Sequence, residues 1–179
     1  MRWKAAVGLA GAALLAGCGG GGSTSGMPPA PCPRITVLAD GADLTQFRPG
    51  RGQDLAAMTA DARLIGFQAR CDYLRRREGV AVAISAVIEV ERGPGATSRQ
   101  ARLPWFIAVT DAEDTQIIDR QDYVVPVTFD ANVNRTRVQT SPVTLNFAAD
   151  ERLVENYNVR LSFQLTPEDL ALNRRRGPR

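Results

Sequence analysis

The chain has no histidine, a single lysine (Lys4) and three cysteines among its 179 residues. Without His the commonest general base and the commonest nitrogen ligand for metals are missing, and neither a Ser-His-Asp nor a Cys-His site can be assembled. The lone Lys lies in a leader-like segment, so no phosphate-loop lysine and no Schiff-base lysine is expected in the working protein. Gly-x-Ser-x-Gly, Cys-x-x-Cys and EF-hand patterns do not occur. No cofactor and no metal site is expected. Long hydrophobic runs are also scarce. The one clear run, Ala5 to Ala16, has twelve residues, which cover about 18 Å as a helix against the roughly 30 Å hydrocarbon core of a bilayer. A spanning helix is thus the poorer reading and a secretory signal the better one. What remains is 44% hydrophobic and 23% charged, a globular composition of a length that suits one domain with appendages.

Arg2 and Lys4 form a positive n-region, Ala5–Ala16 an apolar h-region, and Leu15-Ala16-Gly17-Cys18 closes it. This ending resembles the bacterial lipobox. The resemblance implies cleavage before Cys18, a diacylglyceryl thioether on its sulfur and acylation of its amine. Residues 1–17 are then a lipoprotein signal peptide, and the acyl chains hold the mature protein on a bilayer at about 0.8 kcal/mol per buried CH₂. Gly19 in place of Asp after the cysteine favours the outer membrane, facing the periplasm, with the inner membrane as the alternative. Removing Arg2 and Lys4 takes the 22 basic residues to 20, against 19 acidic ones. The mature chain is nearly neutral and carries no nucleic-acid footprint.

Residues 18–33 read as a lipidated Gly/Pro-rich tether, with GGGGSTSG followed by Pro28, Pro29, Pro31 and Pro33. As a coil its Gly19–Pro31 portion spans roughly 20 Å. From Arg34 the dominant period is two. Val80 to Val90, Leu103 to Val109, Tyr123 to Phe129, Val143 to Phe147 and Val159 to Leu165 each alternate apolar with small or polar residues. With Arg34–Ala39 and Leu64–Cys71 these make about seven strands, separated by turns such as Arg92-Gly93-Pro94-Gly95 and Asp111–Asp114. The expected fold of residues 34–174 is an all-β, immunoglobulin- or fibronectin-like antiparallel β-sandwich, with a small barrel as the alternative. Asp43–Asp61 reads as a long connection with one helical turn. Thr166-Pro167-Glu168-Asp169 reads as the capped start of a short C-terminal helix, leaving a basic tail at 175–179.

Several stretches resemble a family of uncharacterised alphaproteobacterial lipoproteins: Cys32-Pro33, Arg92-Gly93-Pro94, Trp105 to Asp111, and Phe163 to Leu170 with Asn173-Arg174. The family pattern has Tyr where this chain has Trp105. The resemblance implies an intact single domain in the cell envelope and brings no activity with it.

After acylation of Cys18, Cys32 and Cys71 remain, in a compartment that permits disulfides. Cys32 precedes the first strand and Cys71 ends the second, so antiparallel pairing of those strands would bring them together. The alternative is two separate thiols, with Cys71 simply buried. Two arginine clusters, Arg75-Arg76-Arg77 and Arg174-Arg175-Arg176, form possible contact surfaces for phospholipid headgroups or an anionic wall polymer, or else are solvated turn and tail residues. The functional expectation is therefore a non-catalytic binding or assembly accessory factor. It would be held on the membrane through Cys18 and would dock an envelope protein along an exposed strand edge. Two rivals stand beside it: a carboxylate-dependent periplasmic enzyme, and a purely structural envelope lipoprotein.

Overall fold

Alternation along the central strands decides which side chains meet. Val80, Val82, Ile84, Ala86, Ile88 and Val90 lie on one face of their strand and are fully buried. They face Leu103, Trp105, Ile107, Leu161 and Phe163, buried residues of other strands in the same core. The computed structural model describes residues 28–148 and 151–177. Among these it has nine strands: β1 (Arg34–Val37), β2 (Asp43–Phe47), β3 (Met58–Tyr73), β4 (Gly79–Arg92), β5 (Gln100–Thr110), β6 (Ile117–Thr128), β7 (Arg135–Gln139), β8 (Val143–Ala148) and β9 (Asn158–Phe163). A C-terminal helix, α1 (Pro167–Arg176), follows them. The signal peptide, Cys18 and most of the tether lie outside the described residues, as do the last two residues of the tail.

The strands form two sheets, β1-β9-β5-β6 and β2-β3-β4, with β7 and β8 both paired to the remaining side of β4. All pairs are antiparallel except β1 with β9, which run parallel with Arg34 opposite Asn158. The protein is thus mostly β, in two sheets around one hydrophobic cluster, with one short helix.

Two strands exceed the expected seven, and both are polar for identifiable reasons. Strand β2 falls in the segment predicted as a connection. Its Asp43 and Thr45 are buried without breaking the fold because Asp43 pairs with Arg63 (2.8 Å) and Thr45 Oγ1 donates to Asp61 (2.7 Å). Strand β7, Arg-Thr-Arg-Val-Gln, has one apolar residue, and its Arg135 pairs with Glu91 (2.6 Å) across to β4. Cross-strand ion pairs thus do what an apolar face does elsewhere. The helical turn expected in the connection is a single 3₁₀ turn at Leu55–Ala57, capped by Asp54 accepting from Ala57 N–H (2.8 Å).

The cysteines are joined: Cys32–Cys71 is a disulfide with Cα atoms 5.8 Å apart. The predicted reason needs correction. Strand β1 pairs with β9 and never with β3, so the bond does not sit between neighbours in one sheet. It ties the entry to the first sheet onto the second, across the two layers.

Helix α1 starts with a capping box: Asp169 N–H donates to Thr166 Oγ1 (3.1 Å), Thr166 N–H donates back to Asp169, and Pro167 takes the first position. It runs to Arg176 rather than ending at Arg174, so the expected basic tail begins inside the helix. Asn173 donates to the carbonyls of Asp40 (2.9 Å) and Asp43 (2.7 Å), docking the helix on β2.

At the β4–β5 turn a Cβ on Gly93 would come within 2.2 Å of the Met58 carbonyl oxygen. Backbone cannot yield there cheaply. Gly93→Ala should cost about 1–3 kcal/mol, as overpacking does, read as a lower urea midpoint at unchanged m-value.

Candidate docking edge and cleft

Strand β6 is an outer strand of its sheet and, among the described residues, pairs with β5 alone. Which of its backbone groups are free follows from one hydrogen bond. Gln164 N–H donates to Pro104 O (2.9 Å), so Pro104 turns its carbonyl toward β9. Pro104 lies opposite Val124. That pair is therefore a non-hydrogen-bonded one in the β5–β6 ladder, and Val124 directs its N–H and C=O outward. The two-residue repeat extends this to Arg120, Asp122, Pro126 and Thr128. Pro126 has no N–H to offer and sits where an edge strand tolerates that loss.

Charge divides this edge in two. Asp119, Arg120 and Asp122 occupy the first half, a common guard against unwanted pairing. Tyr123-Val-Val-Pro-Val-Thr128 has no charge, and Val124 there is 46% exposed. The uncharged half borders an open cleft of about 440 Å³ between the sheets, lined by Trp105, Tyr123, Val125, Val138, Pro142 and Val143. The cleft exists because β7 and β8 do not form one continuous strand. Thr140 exchanges bonds with Ala86, its N–H donating to Ala86 O and its Oγ1 accepting from Ala86 N–H, each at 3.0 Å. Ser141 and Pro142 then break the ladder before β8 begins. Trp105 forms the buried floor, its ring 5.3 Å from that of Tyr123. Burial, with Asp119 nearby, pushes the Tyr123 hydroxyl above its ordinary pKa, so it is a neutral donor, and it donates to Gln121. A smaller hollow of about 200 Å³, lined by Ile118, Leu145, Phe147 and Tyr157 among others, continues between β6 and β8.

An extended peptide laid along β6 would bond to the outward groups of Asp122, Val124, Pro126 and Thr128. Every second side chain would enter the apolar cleft. The residue pattern points to an exposed strand edge in general and singles out neither β6 nor the cleft. The periodicity that marks β6 as a strand says nothing about which of its sides is covered.

The predicted contact residues fall at two ends of the domain. Arg75, Arg76 and Arg77 form the exposed β3–β4 turn. On α1, Arg174 pairs with Asp40 (2.8 Å), Arg175 donates to Gln53 (3.2 Å) and Arg176 to Thr45 (2.8 Å). These three guanidinium groups fasten the helix to the turn before β2, the loop after it and β2 itself. About twelve residues of β3 separate the two clusters, roughly 40 Å at a strand's rise per residue, so they do not make one surface.

Two carboxylates of the β5–β6 turn, Asp111 and Asp114, have internal partners. Asp111 accepts from Thr115 Oγ1 (2.5 Å), Thr115 N–H (2.7 Å) and Gln116 N–H (3.1 Å). Asp114 accepts from Arg160, Thr110 and Asn158. The Thr115 hydroxyl and Gln116 amide hold the Asp111 carboxyl below its ordinary range, and the Arg160 and Thr110 bonds do the same for Asp114. Neither carries a proton to give at neutral pH. In both cases the folded pKa lies below the unfolded one, so stability from these groups is present above the unfolded value near 4 and is lost as pH falls through the folded value. Asp114→Asn should therefore melt lower than wild type at pH 7, and the gap should close at pH values below the folded pKa. A gap independent of pH would assign the loss to packing.

Among the described residues no helix is long and apolar enough to cross a membrane. Comparisons with protein-family models, curated proteins and solved structures find no match for the chain.

Proposed function

We propose that the protein is a membrane-anchored envelope lipoprotein, acylated at Cys18 and facing the periplasm from the outer membrane. It binds another envelope protein by strand addition at β6 and catalyses no reaction. The observation that carries this reading is the uncharged, outward-bonding half of β6 beside an apolar cleft. Strand addition needs both parts, a row of free backbone groups and a pocket for alternate side chains. The Cys32–Cys71 disulfide supports an oxidising compartment. The Leu-Ala-Gly-Cys motif and the Gly/Pro-rich tether support the anchor. We read the two-sheet arrangement as an immunoglobulin- or fibronectin-like sandwich, to which the parallel β1–β9 pair and the broken β7–β8 pair are additions. The absence of His and of mature Lys, together with the engaged carboxylates, favours binding over turnover.

Covalent cross-linking in intact cells tests the proposal. A discrete adduct with one envelope protein, its linked peptides mapping to residues 117–128 or 138–143, is expected. Recovery of the unlinked chain alone, or of adducts that map only elsewhere on the domain, contradicts it. The anchor is tested separately. The mature N-terminus should be an acylated Cys18, and Cys18→Ser should block processing.

A further inference from the structure

Strands β3 and β4 are joined by a four-residue turn, Arg75 to Glu78, closed by Leu74 N–H donating to Gly79 O (2.9 Å). Glu78 N–H donates to Arg75 O (3.3 Å), and the central residues Arg76 and Arg77 both have positive φ, 57° and 59°. Asn and Gly are the residues that suit two successive left-handed positions. An arginine carries a steric cost at each. Strain of this kind points to selection for the side chain it carries, and the three side chains here are exposed.

The fold also fixes what lies beside the turn. Arg77 stacks on the Tyr73 ring at 4.7 Å, and the Tyr73 hydroxyl donates to the Pro29 carbonyl (3.3 Å). The Cys32–Cys71 bond clamps the same stretch of tether to β3. The chain therefore reaches the domain at the arginine turn. Between Cys18 and Pro28 lie only ten residue steps, at most about 35 Å of extended chain. Charge completes the picture. Arg70 is neutralised by Asp72 (2.7 Å), which leaves Glu78 as the one acid within the turn against three arginines. The β5–β6 turn, at the same end but on the other sheet, carries Asp111, Glu113 and Asp114. The three arginines make the β3–β4 corner basic beside that acidic turn.

We propose that Arg75, Arg76 and Arg77 bind the phosphates of anionic phospholipid headgroups in the bilayer that holds the anchor. This inference rests on the lipid-anchor reading above. Guanidinium groups suit phosphate through paired hydrogen bonds. Contact at one corner tilts the sandwich and turns the free edge of β6, which lies over β7 and β8, away from the membrane and toward a partner.

The test uses the mature acylated protein carrying Glu78→Trp, in vesicles of brominated phosphatidylcholine with and without phosphatidylglycerol. Trp105 is buried and supplies a constant background. Tryptophan quenching should rise with phosphatidylglycerol and fall again at high salt. Replacing each arginine by Ala should weaken the contact about fivefold. The pair Arg76→Asn with Arg77→Gly should melt higher than wild type, because strain is relieved, yet lose lipid contact. Quenching indifferent to phosphatidylglycerol while the protein still floats with the vesicles overturns this inference and leaves the anchor standing. Failure to float overturns the anchor and the inference with it. An Asn-Gly variant that melts lower removes the strain argument and counts against the proposal. Amide protection at the turn by an anionic cell-wall polymer, with no response to lipid charge, assigns the turn to the wall instead.

Discussion

Replacing Cys32 and Cys71 together by alanine is expected to lower the unfolding free energy by about 4 kcal/mol. The bond closes a loop with a sequence separation of 39, and the loop-closure entropy removed from the unfolded chain amounts to about that much in the chain-entropy model. The location adds a structural reason. Strand β1 has four residues and lies at the edge of its sheet, held among the described residues by β9 alone. Without the cross-link, its entry is no longer fastened to β3. For a domain of this size the loss corresponds to a fall in melting temperature of roughly 8–16 °C. Urea titration of the double variant beside the oxidised wild type reads it directly. A difference under about 1 kcal/mol would show that the unfolded chain is already restricted there.

The second large effect is on binding. Val124→Pro should reduce adduct formation with the envelope partner at least tenfold while leaving the melting temperature nearly unchanged. Both halves follow from the ladder geometry. The Val124 N–H points away from β5, so its removal breaks no bond within the domain. It does remove a donor from the free edge and puts a pyrrolidine ring where an added strand would lie. Loss of one backbone bond and the approach of the neighbouring ones is worth more than 1.4 kcal/mol, hence the tenfold figure. A control at Leu55, 71% exposed in the 3₁₀ turn before β3 and outside β6, should bind normally as Leu55→Pro. An unchanged adduct with Val124→Pro would move the docking site off β6.

Much of the architecture is legible in residue pattern. The alternation in β4, β5 and β9 survives as buried rows because one face of each strand meets the core, and burial imposes period two. Thr166-Pro167-Glu168-Asp169 is legible because a capping box is a local bond set. Strands β2 and β7 are not, since their pairing depends on Arg63, Asp61, Glu89 and Glu91, residues far away in sequence. The disulfide was expected from compartment and count, while the reason for it lay in a layer crossing that strand order alone does not reveal. The docking edge was least visible. Val124 and Val125 look alike in sequence; the direction of one carbonyl, that of Pro104, decides which of them faces outward. The Arg174–Arg176 cluster shows the reverse case, since its charge suggests a surface and its partners Asp40, Gln53 and Thr45 make it a helix fastening.

Amide hydrogen exchange along β6, in the free protein and in the isolated partner adduct, tests strand addition most directly. In the free protein the amides of Gln121, Tyr123 and Val125 should exchange slowly, because they face β5, while those of Asp122, Val124 and Thr128 exchange fast. In the adduct the second set should become slow as well, giving an unbroken protected run. Outward amides that stay fast in the adduct, or that are already slow in the free protein, would contradict the account.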